Sequence, residues 1–375
     1  MPVIEVRIDD RLRFISALLL FTEQGRHQAQ FAPHPLKLRT LEWLAPHAAH
    51  PAMRFIRSMA AKSFISNFHT LAIHLGEPPD FALPVAERQS DLWRTTLESV
   101  AGAISHPPDL CAQRFQESLA DLYNDTSVFA LWRETAPAWE AVREQAGRAL
   151  AQAGLEEWLE RFFGPVELKL ICVPMPTDPA SFGFGPSNGA EAYAIMGPNC
   201  VARPAGTAGL WLGSGGKPAE ILVGPGQTMT VGEDPFDYSA NPEAVAGMCL
   251  HEFMHPLIEE FLQANPGLPA ATEGIDAKLT YKGYFPKSYG NWRIRLSEML
   301  IRAATAIYER DKGGPERGRA AVAREVEGYG LTPVEELYAA FGEYLEARGH
   351  GRYVGLADFG PELTDRLVRW QRAAG

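Results

Sequence analysis

Apolar residues recur at helical spacing through most of the first 163 positions of the chain. Leu12, Phe14, Ile15, Ala17, Leu18, Leu19 and Leu20 form an apolar opening segment. The stretches 51–75, 86–104, 109–124 and 137–163 then carry apolar positions three and four apart. His34-Pro35, Pro78-Pro79, Pro107-Pro108 and Ala136-Pro137 punctuate them as turns. The texture changes at Gly164-Pro165. Val166 to Val173 (VELKLICV) is a β-branched and apolar run, and Ala190 to Met196, Gly209 to Gly213 and Ala219 to Val223 are further short strand candidates. Glycine and proline fill the loops SFGFGPSNG and GSGGKP. The second lacks the first glycine of a phosphate loop, where Trp211 stands, and its closing Ser or Thr, where Pro218 stands, so it reads as a hairpin turn.

A helix is predicted from Asn241, an N-cap residue followed by Pro242 at the first helical position and by Glu243 at the positive end of the dipole. Its apolar positions run through Ala246, Cys249, Leu250, Phe253, Leu257 and Phe261 and stop at Asn265-Pro266-Gly267. Pro256 lies inside and predicts a kink or a split. The segment 268–290 reads as a tyrosine-rich loop, and helices resume at about 291–311, 316–327, 332–347 and 360–373. The expected fold is α+β and mostly helical. A helical N-terminal region occupies 1–163. A strand-rich subdomain with the central helix occupies 164–265, its small twisted sheet beneath that helix, and a helical C-terminal subdomain occupies 266–375.

Composition narrows the function. With 46% hydrophobic and 22% charged residues the chain is an ordinary globular one. A net charge of −11, with no run of Lys and Arg, argues against nucleic acid and against an anionic membrane surface as partners. The apolar run Ile15 to Phe21 is too short to span a bilayer, and the opening MPVIEVRIDD has acids where a signal peptide carries basic residues. Cys111, Cys172, Cys200 and Cys249 lie far apart, which suits buried thiols in a reducing compartment. Cytoplasmic residence is therefore expected.

The chemistry is concentrated in His251-Glu252-Phe253-Met254-His255. Two histidines at i and i+4 share one helical face, about 6 Å apart, and can turn ring nitrogens to one ion. A glutamate between them reaches a water on that ion as general base. Apolar flanks, Met248 to Leu250 and Pro256 to Ile258, would keep the site partly dry. A catalytic zinc needs a third protein ligand and an open position. Phe261 stands where a third histidine of an extended motif would fall. Glu259 would put three ligands along about 12 Å of one helix, too far to converge. The third ligand must come from elsewhere, and Glu298 is the preferred candidate. It lies in NWRIRLSEMLIRAATAIY on one stripe with Ile294, Ile301 and Thr305, where a carboxylate is costly unless paired or metal-bound. Arg302, one turn later, is placed to orient it. Glu273 and Asp276, in TEGIDAK, compete for the same role.

An HExxH helix followed by a helix-borne glutamate resembles the gluzincin-type zinc metallopeptidases. The wording HEFMHP, with E-M-L-I-R-A some forty residues later and the opening DDRLRFISALLLF, is similar to an uncharacterised bacterial family of zinc peptidases with HEFxH and Glu-x-x-x-Arg-Ala motifs. The resemblance implies a zinc ion held by His251, His255 and Glu298, Glu252 as base, and a peptide or protein substrate. Arg302 stands where the best-studied gluzincins carry an aspartate. The expected function is a zinc-dependent hydrolase, foremost a peptidase. The alternatives are a non-catalytic peptide- or ligand-binding protein that retains a zinc site, and a zinc hydrolase of a non-peptide amide or ester. A di-iron centre would need a second Glu-x-x-His, which the chain lacks. Tyr281, Tyr284, Tyr289, His350, Arg352 and Tyr353 are candidates for a donor to the oxyanion.

Overall fold

Helices carry most of the chain in the computed structural model, and a small mixed sheet makes the fold α+β. The structure describes residues 2–25, 34–84, 87, 90–179, 183–198, 219–224, 227–231, 238–240, 242–282 and 289–373. Strand β1 (Ile4–Val6) leads into α1 (Asp10–Leu19), α2 (Pro35–Leu44), α3 (Pro51–Ala60), α4 (Ile65–Ile73) and α5 (Asp91–Ala103). Next come α6 (Pro108–Asp125), α7 (Val128–Glu134), α8 (Ala136–Ala153) and α9 (Leu155–Phe163). The strands β2 (Lys169–Pro174), β3 (Gly183–Phe184), β4 (Glu191–Met196), β5 (Ala219–Gly224) and β6 (Gln227–Val231) follow. The chain then returns to helix in α10 (Pro242–Ala264), α11 (Gly267–Thr272), α12 (Trp292–Gly313), α13 (Pro315–Tyr329), α14 (Pro333–Gly349) and α15 (Leu356–Ala373). No helix among the described residues is long and apolar enough to cross a membrane.

Contacts divide the chain into two compact units whose segments interleave. One comprises Ile4–Ala153 and Lys169–Cys249. The Asp9 carboxylate caps its first helix by accepting the Arg11 and Leu12 N–H groups. Phe14, Ile15, Leu18 and Leu19 on α1 have no exposed surface, as befits a core helix. The sheet order is β1-β2-β4-β3, with β1, β2 and β4 parallel and β3 antiparallel to β4. Central parallel strands are covered on both faces, which explains why β2 and β4 read as continuous apolar runs. Strands β5 and β6 form a separate antiparallel pair. Two buried features sit in this unit. The Ser16 hydroxyl donates to Asp178 Oδ2 at 2.6 Å, and His69 Nε2 lies 2.5 Å from the same oxygen. The fully buried Lys37 is near them, its ammonium pushed down to about 7 by burial against the attraction of Asp178. The Cys172 and Cys249 thiols are buried and lie 3.4 Å apart.

The other unit comprises Met1–Val3, Gly154–Leu168 and Leu250–Gly375. Leu296, Met299, Leu300, Ala303 and Ile307 of α12 are buried, and this helix packs on α13 and α14. Trp158 of α9 meets Tyr308 edge-on, and Phe162 meets Phe341 the same way. The Tyr344 hydroxyl donates to the Phe162 carbonyl at 2.7 Å.

Several expectations are revised. The segment 268–290 is not all loop: α11 and a 3-10 turn at Glu273–Lys278 occupy its start, because Leu268, Thr272 and Ile275 bury there. Pro256 does not split α10, which continues through it; the missing N–H leaves the Glu252 carbonyl without its usual donor. Strands β1, β3 and β6 are additions to the expected set. The strand candidate at 209–213, the GSGGKP turn, the Asn241 cap, Cys200 and Tyr284 lie outside the described residues.

Candidate metal centre

Every group of the candidate site lies between Leu250 and Tyr329, within the second unit. His251 and His255 project from one face of α10. Their ring centroids are 5.2 Å apart and the rings are nearly perpendicular, at 82°. Glu298 arrives from α12 and is 1% exposed. Its Oε1 is 3.7 Å from His251 Nε2. Donor atoms of His251, His255 and Glu298 all lie within 4.8 Å of one another. Tetrahedral zinc sites place donors roughly 3.4 Å apart, so rotations closing about an ångström reach that geometry. Glu252 is buried, with Oε2 3.8 Å from His255 Nε2. The imidazoles keep 23% and 36% of their side-chain surface exposed while the two carboxylates are covered, so a small molecule reaches the rings first.

The Glu298 carboxylate carries the clearest sign of an unmet partner. The Nε of Arg302 donates to its Oε1 at 2.9 Å, and Nη2 pairs with the same oxygen at 2.8 Å. The second oxygen, Oε2, is buried and has no hydrogen-bond partner. A buried carboxylate oxygen left bare is costly. A cation held between this carboxylate and the two imidazoles would offset that cost, so the donor set fits a divalent ion of the zinc type. Arg302 is itself clamped. Its Nη1 pairs with Glu325 of α13, and its guanidinium stacks 4.9 Å from the centre of the Tyr329 ring.

Protonation follows from this packing. Burial pushes His251 down to about 4, with Glu298 opposing and His255 and Arg302 reinforcing the shift. Burial also lowers His255, against Glu298 and with Arg302. Both rings are therefore held neutral, the form that binds a metal. Burial and then the charge of Glu298 push Glu252 well above the usual carboxylate range. Burial would raise Glu298 too, but its neighbours His251, Arg302 and His255 outweigh it and lower Glu298; with the rings neutral, the Arg302 guanidinium is the positive charge that remains beside it. Burial works against the charge of Arg302, and Glu298 and Glu325 overcome it.

The remaining candidates are engaged elsewhere. Asp276 accepts from Arg295 Nε at 2.9 Å and Nη2 at 2.5 Å, and from the Tyr281 hydroxyl. Glu273 is exposed. Glu259 pairs with Arg293. Arg352 and Tyr353 both donate to Glu362, and His350 is exposed. Tyr289 does lie at the site, in a pocket shared with His255 and Glu298. Ile294, expected on the buried stripe of Glu298, is instead 46% exposed, because it sits in the first turn of α12 where the stripe meets solvent. Glu325 and Tyr329 escaped the sequence reading. They hold Arg302 from a different helix, and no spacing rule links them to it.

The Arg302 clamp has a measurable consequence. Were a zinc ion held by these residues, Arg302→Gln should weaken its binding about 10- to 100-fold, since partners that orient a ligand carboxylate are worth that much. Competition with a chromogenic chelator reads it, and an unchanged affinity would remove Arg302 from the site.

No family model matches the chain, and neither a curated protein nor a solved structure does.

Proposed function

We propose that the protein is a zinc-dependent hydrolase, and specifically a peptidase with a zincin-like, gluzincin-type centre. The observation that carries this reading is the convergence of His251, His255 and the Glu298 carboxylate, one oxygen of which has no hydrogen-bond partner, with the Glu252 carboxyl buried alongside. Two neutral imidazoles and one carboxylate suit zinc and leave a position for substrate. Bound there, zinc supplies Lewis acidity, polarising a carbonyl and lowering the pKa of water toward neutrality.

The protein's own groups do the rest. Glu298 contributes one negative charge at a fixed place, because Arg302 and Glu325 hold it from behind. Glu252 stands beside His255 as the base. A nearby dication opposes the burial that raises its pKa, so its carboxylate oxygen takes the proton of the attacking water and gives it to the leaving amine. Phe253, Met254, Leu257 and Ile258 are buried around the motif and limit water on that side of the helix.

The test is cleavage of a peptide library by the zinc-loaded protein. Hydrolysis that a chelator abolishes and added zinc restores supports the peptidase reading. Turnover that is indifferent to the chelator would refute it.

A further inference from the structure

A pocket of about 220 Å³ opens beside the donor group, and His255 and Glu298 form part of its wall. Tyr289, Ser297 and Ile294 add to that wall, and Glu259 and Arg293 complete it. Pockets that enclose a whole small-molecule ligand measure about 300–1,000 Å³. This one is smaller, which suits a single side chain of a longer substrate. Its charges are engaged once the proposed zinc ion takes the open oxygen of Glu298. Arg293 Nη2 pairs with Glu259 Oε1 at 2.5 Å, and Glu298 is held by Arg302. A charged substrate group would lose hydration there without gaining an opposite charge. Ile294 offers the contrasting surface: it is a large aliphatic side chain with 46% of its surface exposed, on a helix whose other large aliphatic residues are buried. Covering it with another aliphatic group removes apolar surface from water.

Granted the zinc-peptidase reading on which it rests, we propose that this pocket receives an aliphatic side chain of the substrate residue next to the scissile bond. Ile294 is the specificity-determining residue. Its position four residues before Glu298 puts it one helical turn from the ligand, so the side chain it selects lies adjacent to the reacting bond.

Two hydroxamates of equal length test this on the zinc-loaded protein, one bearing an isobutyl group and the other a carboxyethyl group. Titration calorimetry gives their affinities for the parent and for Ile294→Leu and Ile294→Asp. The parent should prefer the isobutyl compound by about tenfold or more, the scale on which apolar pockets discriminate. Ile294→Leu should keep the preference and Ile294→Asp should lose it, with zinc content unchanged in both. Equal affinities in the parent, or a preference that survives Ile294→Asp, overturn the assignment. The same proteins are assayed with peptides differing only at the residues flanking the cut. Isobutyl preference without cleavage of any peptide would uphold the pocket and refute the peptidase reading. Cleavage without isobutyl preference would do the reverse. A protein that binds no zinc refutes both.

Discussion

On the proposed zinc-peptidase reading, Glu252→Gln protein should keep its zinc and its fold but hydrolyse peptide about a hundred- to ten-thousandfold more slowly than the parent, the usual contribution of a positioned general base. The amide has nearly the shape of the carboxylate, so packing around this buried position is preserved. It cannot accept a proton from water at the site. Folding should not suffer, because burial already disfavours the charged carboxylate at this place and a neutral amide evades that cost. Zinc content, thermal unfolding and kcat/KM on one peptide measure the three parts. Undiminished turnover with zinc bound would remove Glu252 as the base.

The double substitution His251→Ala/His255→Ala should have the other large effect on the proposed reading: loss of stoichiometric zinc. The two imidazoles are two of the three donors that meet within 4.8 Å, and Glu298 alone, already bound to Arg302, is a poor site. The loss also appears in stability. A metal that binds the folded state alone raises the unfolding temperature in proportion to the logarithm of its concentration. The parent should show that rise on titration with zinc and the double variant should not. An equal rise in both would place the metal elsewhere.

The parts of the molecule legible in the sequence are those written locally. The HExxH helix is one, since both histidines fall on a single turn and the helix signals surround them. Glu298 is another, because a carboxylate among Leu296, Met299, Leu300 and Ile301 calls for a compensating partner wherever the chain folds. Strands β2 and β4 could be read because burial on both faces leaves an unbroken apolar run. Pairing at long range leaves no such trace. The three residues of β1 carry too little pattern to mark a strand, yet they align with Leu170 to Cys172 more than 160 positions away. Glu325 reaches Arg302 from the next helix, and Ile294 turns to solvent where its stripe predicted burial. Pro256 removes one backbone donor, and the rest of α10 is long enough to continue regardless.

Anomalous diffraction at the zinc edge from crystals of the zinc-loaded protein tests the centre most directly. The expected map has one zinc ion bound by nitrogens of His251 and His255 and by a carboxylate oxygen of Glu298 at about 2.0–2.2 Å, with Arg302 on the other oxygen. Zinc seated on any other residues, or Asp276 at the third corner with Glu298 turned away, would contradict it.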